Sequence, residues 1–283
     1  MLRPSLLSLL LHSLLISFVS TASPVGRHHN HNRHHQRDSG TVWATPHDAF
    51  SSSIGVLGCK VNTNRVAYWP NSVDCTNICV ALTYQDRTVH LLRIDQSEGA
   101  YDVSYDAWNY LYTGYSATEK PTAGGPVEMT YKDVDASNCK DLIDTKHGHL
   151  PLSAANSMNF LTSCLEQNNT WVGQNYVLYN ILDSLCTLGH DEKCDLDYPI
   201  ANQAACPHTL GLPDKLENMA VYNIRYPSGE EVNASDGQPA GPAPAPAPAP
   251  TDDQEDLGTS LSQPSGKTLA LVILLTTCLA FGV

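Results

Sequence analysis

Residues 93–114 read RIDQSEGAYDVSYDAWNYLYTG, an apolar run that delivers two carboxylates, Asp95 and Asp102, then a serine and an aromatic segment. A carboxylate can act as a general acid or accept the hydroxyls of a sugar, and only the first use makes an enzyme. Flat aromatic faces are the usual complement to such acceptors. Tyr68, Trp69, Tyr101, Tyr105, Trp108, Tyr110, Tyr112 and Tyr115 crowd around the two acids. Trp108 and Tyr112 fall on a helix face that must pack, whereas Trp69 and Tyr101 are expected to face a ligand together with Asp102. Asp95 is expected to accept backbone amides on the floor of the same groove.

The elements that would hold these groups follow from periodicity. TVWAT (41–45) is a short strand, and CVALTY (79–84) alternates Val80, Leu82 and Tyr84 before a Gln85-Asp86-Arg87 turn into TVHLLRI (88–94), a hairpin pattern. Ser104 is placed to cap a helix with Asp106 in its first turn and Gly114 at its end. PVEMTYKDV (126–134) reads as a further strand. The second half changes period. Ser153 is placed to cap a helix over SAANSMNFLTSCLEQ, and 171–189 carries Val172, Tyr176, Tyr179, Leu182 and Cys186 at helical spacing before Gly189. Two helices, each with a cysteine, are expected.

The ends of the chain set the compartment. MLRPSLLSLLLHSLLISFVSTASP has the charge, apolar stretch and small residues of a secretory signal, with cleavage expected after Ala22. LALVILLTTCLAFGV (269–283) follows a polar spacer and the small residues Gly258-Thr259-Ser260, the pattern of a glycosylphosphatidylinositol signal with lipid on Gly258 or Ser260 and 259–283 removed. The alternative is a C-terminal membrane helix. Eight cysteines then remain, an even set that reads as disulfides in an oxidising compartment. Cys164 and Cys186 would staple the two helices and Cys194 with Cys206 would close a loop, although eight cysteines permit many pairings. Asn168 and Asn233 sit in glycosylation acceptor sequences.

Composition divides the mature chain. Residues 23–40 hold a histidine-rich arm whose His28, His29, His31, His34 and His35 suit Zn²⁺ or Cu²⁺, against the plainer reading of a solvated basic segment. Residues 233–258 are an Ala-Pro stalk of polyproline II character. Between them, 41–139 is strand-rich and 140–232 is the helical extension. The net charge of −13 argues against nucleic acid as partner, since a phosphate backbone is bound by surplus Lys and Arg. No cofactor is implied.

An order of features resembles a known group. Cys75 and Cys79 feed the hairpin; Ile94-Asp95 ends its apolar strand; Tyr101-Asp102-Val103-Ser104 leads into the helix; Gly114, Val134-Asp135 and Cys139 follow. Over 41–139 this resembles the cerato-platanin group of secreted fungal proteins and, more broadly, the barwin and expansin class. The resemblance implies a six-stranded double-psi β-barrel over these residues, and with the disulfide-stapled helical extension read from 140–232 the expected class is α+β. The resemblance also implies pairs Cys59–Cys75 and Cys79–Cys139. The cysteine pair is spaced by three residues and the Cys59 to Cys75 stretch is short for the group.

In expansins and the related hydrolases, the aromatic-Asp-aliphatic-Ser step carries the essential acid, which places that role on Asp102; cerato-platanins have Asn there. Inversion needs a second carboxylate about 6.5–9.5 Å away, which those hydrolases take from the first strand. This chain has Val42-Trp43-Ala44-Thr45 there, and Asp48 lies poorly placed beyond. The resemblance, taken with the anchor signal and the stalk, therefore implies a protein at the outer face of the membrane or in the wall that binds or loosens chitin or β-glucan without hydrolysis. A lytic transglycosylase-like or glycoside-hydrolase-like enzyme using Asp102, and a surface interaction or effector protein with the barrel as scaffold, are the alternatives.

Overall fold

The computed structural model describes residues 38–241. The expected signal segment, His28, His29, His31, His34 and His35, the Ala-Pro repeat, Gly258, Ser260 and the apolar tail lie outside the described residues. Six strands, β1 (Ser39–His47), β2 (Val66–Trp69), β3 (Cys79–Tyr84), β4 (Arg87–Gln96), β5 (Tyr101–Ser104) and β6 (Val127–Asp133), close into a barrel in the order β1-β5-β2-β4-β3-β6. The β1–β5 and β2–β4 pairs are parallel and the others antiparallel. Alternation along each strand divides the side chains into two sets. Val42, Ala44, Ala67, Trp69, Val80, Leu82, Leu91 and Val103 fill the interior. Val66, Tyr68, Leu92 and Ile94 point outward into a second core.

Helix α1 (Tyr105–Thr113) packs Trp108 and Leu111 into the barrel, and Gly114 ends it at φ 84°, a left-handed conformation that suits glycine. Trp108 donates its indole N–H to the Ala44 carbonyl at 3.1 Å. The Ser104 side chain does not cap the helix. It donates to Thr63 O and accepts from Val66 N–H, tying β5 to β2. Asp106 in the first turn is buried, where it meets Arg65 at 2.7 Å and accepts the Ala117 amide.

The extension corrects the expectation of a helical pair. It contains β7 (Leu150–Ser153), α2 (Met158–Leu165), the single-turn α3 (Trp171–Gln174), β8 (Tyr176–Ile181), β9 (Gly189–Cys194), β10 (Tyr222–Ile224) and β11 (Glu231–Asn233). Ser153 lies in β7 and the helix starts five residues later. The stretch 171–189 is mostly strand because Asn175 leaves helical geometry at φ −135°, ψ 53°, after which YVLYNI pairs with β7 on one side and β9 on the other. Leu178, Tyr179, Asn180 and Ile181 are all buried, so the alternation that signals a strand was erased and a helical spacing remained.

The disulfides are Cys59–Cys186, Cys75–Cys164, Cys79–Cys139 and Cys194–Cys206. Cys59 does not pair with Cys75, nor Cys164 with Cys186. Each of the two barrel-side cysteines instead reaches an extension cysteine, because the core around Leu92 and Ile94 runs on through Leu150, Leu152, Leu178 and Ile181 and carries the two halves together. The described residues, 38–241, lie in one compact unit. The chain is still hydrogen-bonded at Ala240, whose amide meets Glu231 O at 2.9 Å, so a stalk cannot begin at 233. Among the described residues no helix is long and apolar enough to cross a membrane.

One carboxylate in the extension makes the fold acid-sensitive. Burial alone would raise Glu192, but hydrogen bonds from the His208 ring, the Asn180 amide and the His208 N–H bring it from 4.5 down to about 2. A depressed carboxylate contributes stability that is complete above its unfolded value and lost as pH falls through its folded value. Denaturant titrations between pH 7 and pH 2 should therefore show stability falling below about pH 4.5, with a smaller fall in Glu192→Gln; identical profiles would contradict the assignment.

Candidate functional site

Registration across four strands sets Thr45, Asp102, Tyr68 and Asp95 side by side on β1, β5, β2 and β4. They face outward, opposite the barrel interior. Asp95 is 7% exposed and fully engaged: Ser51 Oγ donates to one oxygen, and the Ser53 and Gln96 amides donate to the other at 2.8 Å. It pins the serine loop that crosses the barrel, and that is a structural task. Tyr68 is buried beside it. Burial, and then the charge of Asp95, raise its phenol well above the ordinary range, so the ring is neutral at working pH.

Asp102 differs. It is half-buried, receives the Thr45 hydroxyl on one oxygen, and among the described residues no donor is bonded to the other. The next rung pairs His47 with Ser104. His47 leans on Tyr68 with ring centroids 4.6 Å apart, beside a small cleft of about 10 Å³ that Tyr222, Asn223 and Ile224 help to line, room for roughly one water. Asp48 is used for folding: it accepts the Tyr226 amide at 2.9 Å and holds the C-terminal strap. Asp95 and Asp48 are thus both committed to backbone amides, while Asp102 keeps one oxygen without a donor among the described residues.

Trp69 is a correction. It is 2% exposed and lies inside the barrel, in edge contact with Tyr101 at 5.3 Å and Tyr131 at 4.9 Å, under the Arg93 guanidinium. Tyr101 packs on it. The reason is elementary: neighbours in a strand point to opposite faces, so Tyr101 cannot share a ligand surface with Asp102 once both belong to β5. Tyr68, Tyr105 and Trp108 are core as well, whereas Tyr112 in the last turn of α1 and Tyr115 just after the helix are exposed.

The aromatic that does share the face of Asp102 was passed over. Trp43 is 60% exposed and stands two residues before Thr45 on the same side of β1, about 7 Å along the strand. The signal was present in TVWAT, where Val42 and Ala44 are the inward pair. Of the glycosylation acceptors, Asn168 is exposed after α2, and Asn233 lies in β11 with its side-chain oxygen bonded to Ser235 N at 2.9 Å.

A closed six-stranded barrel of mixed direction, bridged by cysteines, fits the double-psi class. Residues 48–142 match the family model for cerato-platanin, so this barrel is cerato-platanin-like. A crystal structure of cerato-platanin 3 from M. perniciosa is similar at 15% identity with a TM-score of 0.28, covering 36% of this chain and 99% of that one. No curated protein matches the chain. Proteins of the cerato-platanin family are secreted, associated with cell walls and bind wall polysaccharides such as chitin, and the family is one of non-enzymatic surface-binding proteins.

Proposed function

We propose that this protein binds cell-wall polysaccharide, chitin or β-glucan, without cleaving it, from the outer face of the membrane to which a glycosylphosphatidylinositol anchor attaches it. The observation that carries the reading is Asp102 itself: one oxygen is held by Thr45 and the other has no donor among the described residues, while Asp95 and Asp48 are both tied into backbone amides. An acceptor with no partner base suits a sugar hydroxyl better than a hydrolytic water. Asp102→Asn keeps the Thr45 bond, since the amide oxygen still accepts. The expected result is an unchanged melting temperature, retention on insoluble wall polymer reduced about fivefold by loss of a charge-assisted bond, and no release of reducing sugar from either form. Sugar release that vanishes in Asp102→Asn would instead establish a hydrolase or transglycosylase, and a lowered melting temperature with retention intact would assign Asp102 to the helix entry.

The anchor is tested separately. Phosphatidylinositol-specific phospholipase C should release the protein from membranes, and the mature chain should lack Cys278. Retention with Cys278 present would mean a membrane helix.

A further inference from the structure

The barrel wears most of its extension against one side, and a C-terminal strap reaches round to Asp48 and Gly124. The outer faces of β2 and β4 near Tyr68, Leu92 and Ile94 are buried, while those of β1, β6 and β3 are open. On the open side Thr41, Thr130, Thr83 and Thr88 pair in register across four strands, a straight rank of hydroxyls about 14 Å long at the usual strand spacing. Trp43 stands one rung along, directly paired with Glu128. An indole that is 60% exposed on a strand that otherwise buries its apolar groups is an unfilled contact surface.

Charge says what fills it. The two segments that flank Trp43, 97–102 and 124–130, contribute Glu98, Asp102 and Glu128 and no Lys or Arg. Glu128 and Glu98 are exposed. Lys132, on the same face, stands two rungs beyond Glu128 with Thr130 between. A ring face attracts a cation above it, and carboxylates at its rim strengthen that preference. Neutral sugars meet such a rim through hydroxyl hydrogen bonds only, without the charge attraction that an ammonium adds, and uronates are repelled. We propose that the Trp43 face binds a cationic amino-sugar chain, a β-linked polymer of glucosamine units such as deacetylated chitin, whose ammonium groups meet Glu128, Glu98 and Asp102 while its hydroxyls lie along the threonine rank. This rests on the wall-polysaccharide reading above and narrows its ligand.

The test is retention of the folded protein on chitosan, on the same chitosan chemically re-acetylated, and on insoluble β-1,3-glucan, each at low and at about 0.5 M salt. Retention on chitosan should exceed that on the re-acetylated polymer by about tenfold and should fall with salt, because the contacts are exposed charges. Trp43→Ala should weaken chitosan binding about tenfold and Glu128→Gln about threefold, both with unchanged melting temperature since both side chains are exposed. Equal retention on chitosan and its re-acetylated form, or binding indifferent to Trp43→Ala, overturns the proposal. Binding to re-acetylated chitosan or glucan but not chitosan also overturns it while leaving the broader function standing; retention on none of the three ends both.

Discussion

Replacing Cys59 and Cys186 by alanine is expected to lower the melting temperature by about 10–20 °C. The bridge closes a loop with a sequence separation of 127 residues, and in the chain-entropy account a loop of that size restricts the unfolded state by about 5 kcal/mol. In a domain of this size each kcal/mol moves the midpoint by about 2–4 °C. The loss should also be directional. Lys60, one residue along, spans from Asp191 at 2.8 Å to the ring of Tyr179, so release of Cys59 loosens the junction between barrel and extension before it disturbs the barrel interior. Thermal scans of the double mutant, with a peptide map of the wild type taken without reduction, decide the matter. A shift under about 3 °C, or a peptide joining Cys59 to Cys75, would show that the two halves are not held together in this way.

Trp108→Ala should cost about 4 kcal/mol, from the lost burial of a large aromatic and the cavity left behind. It also orphans the Ala44 carbonyl, which accepts the indole N–H inside the barrel. Ala44 lies between Trp43 and Thr45, so the same change frees the strand that presents the binding face. Polysaccharide retention should therefore fall along with the melting temperature, whereas Trp43→Ala alters retention only. Trp108→Phe separates the terms: it keeps most of the bulk, loses the hydrogen bond, and should cost about 1 kcal/mol. Gly124 gives an independent check, since a Cβ there would overlap the Trp108 ring, and Gly124→Ala should destabilise through the same contact. Retention unaffected by Trp108→Ala would uncouple the binding face from the core behind it.

The contrast between Asp102 and Trp69 shows how far the sequence carries a site. Both were expected at a ligand surface, and both lie on barrel strands. Their facing is decided by register, and a shift of one residue exchanges inside for outside. The serine loop is a similar case: nothing in SSSIG announces that Asp95 will be consumed by Ser51 and Ser53, because that requires residues about forty positions apart to meet.

What the sequence determined by itself were features with local causes. The hairpin 79–94, the helix that ends at Gly114 and the strand after Pro126 each follow from short-range periodicity and turn chemistry, and together they make the order of elements of the barrel legible. The tertiary structure alone decided that YVLYNI is a strand, that Cys59 and Cys75 bond to the extension, and that Trp43 rather than Trp69 meets solvent. Each of these is an outcome of competition for burial between distant segments. A sequence read along its length shows which residues can pack, and only the closed barrel with the extension laid on one side of it shows which surface was left over.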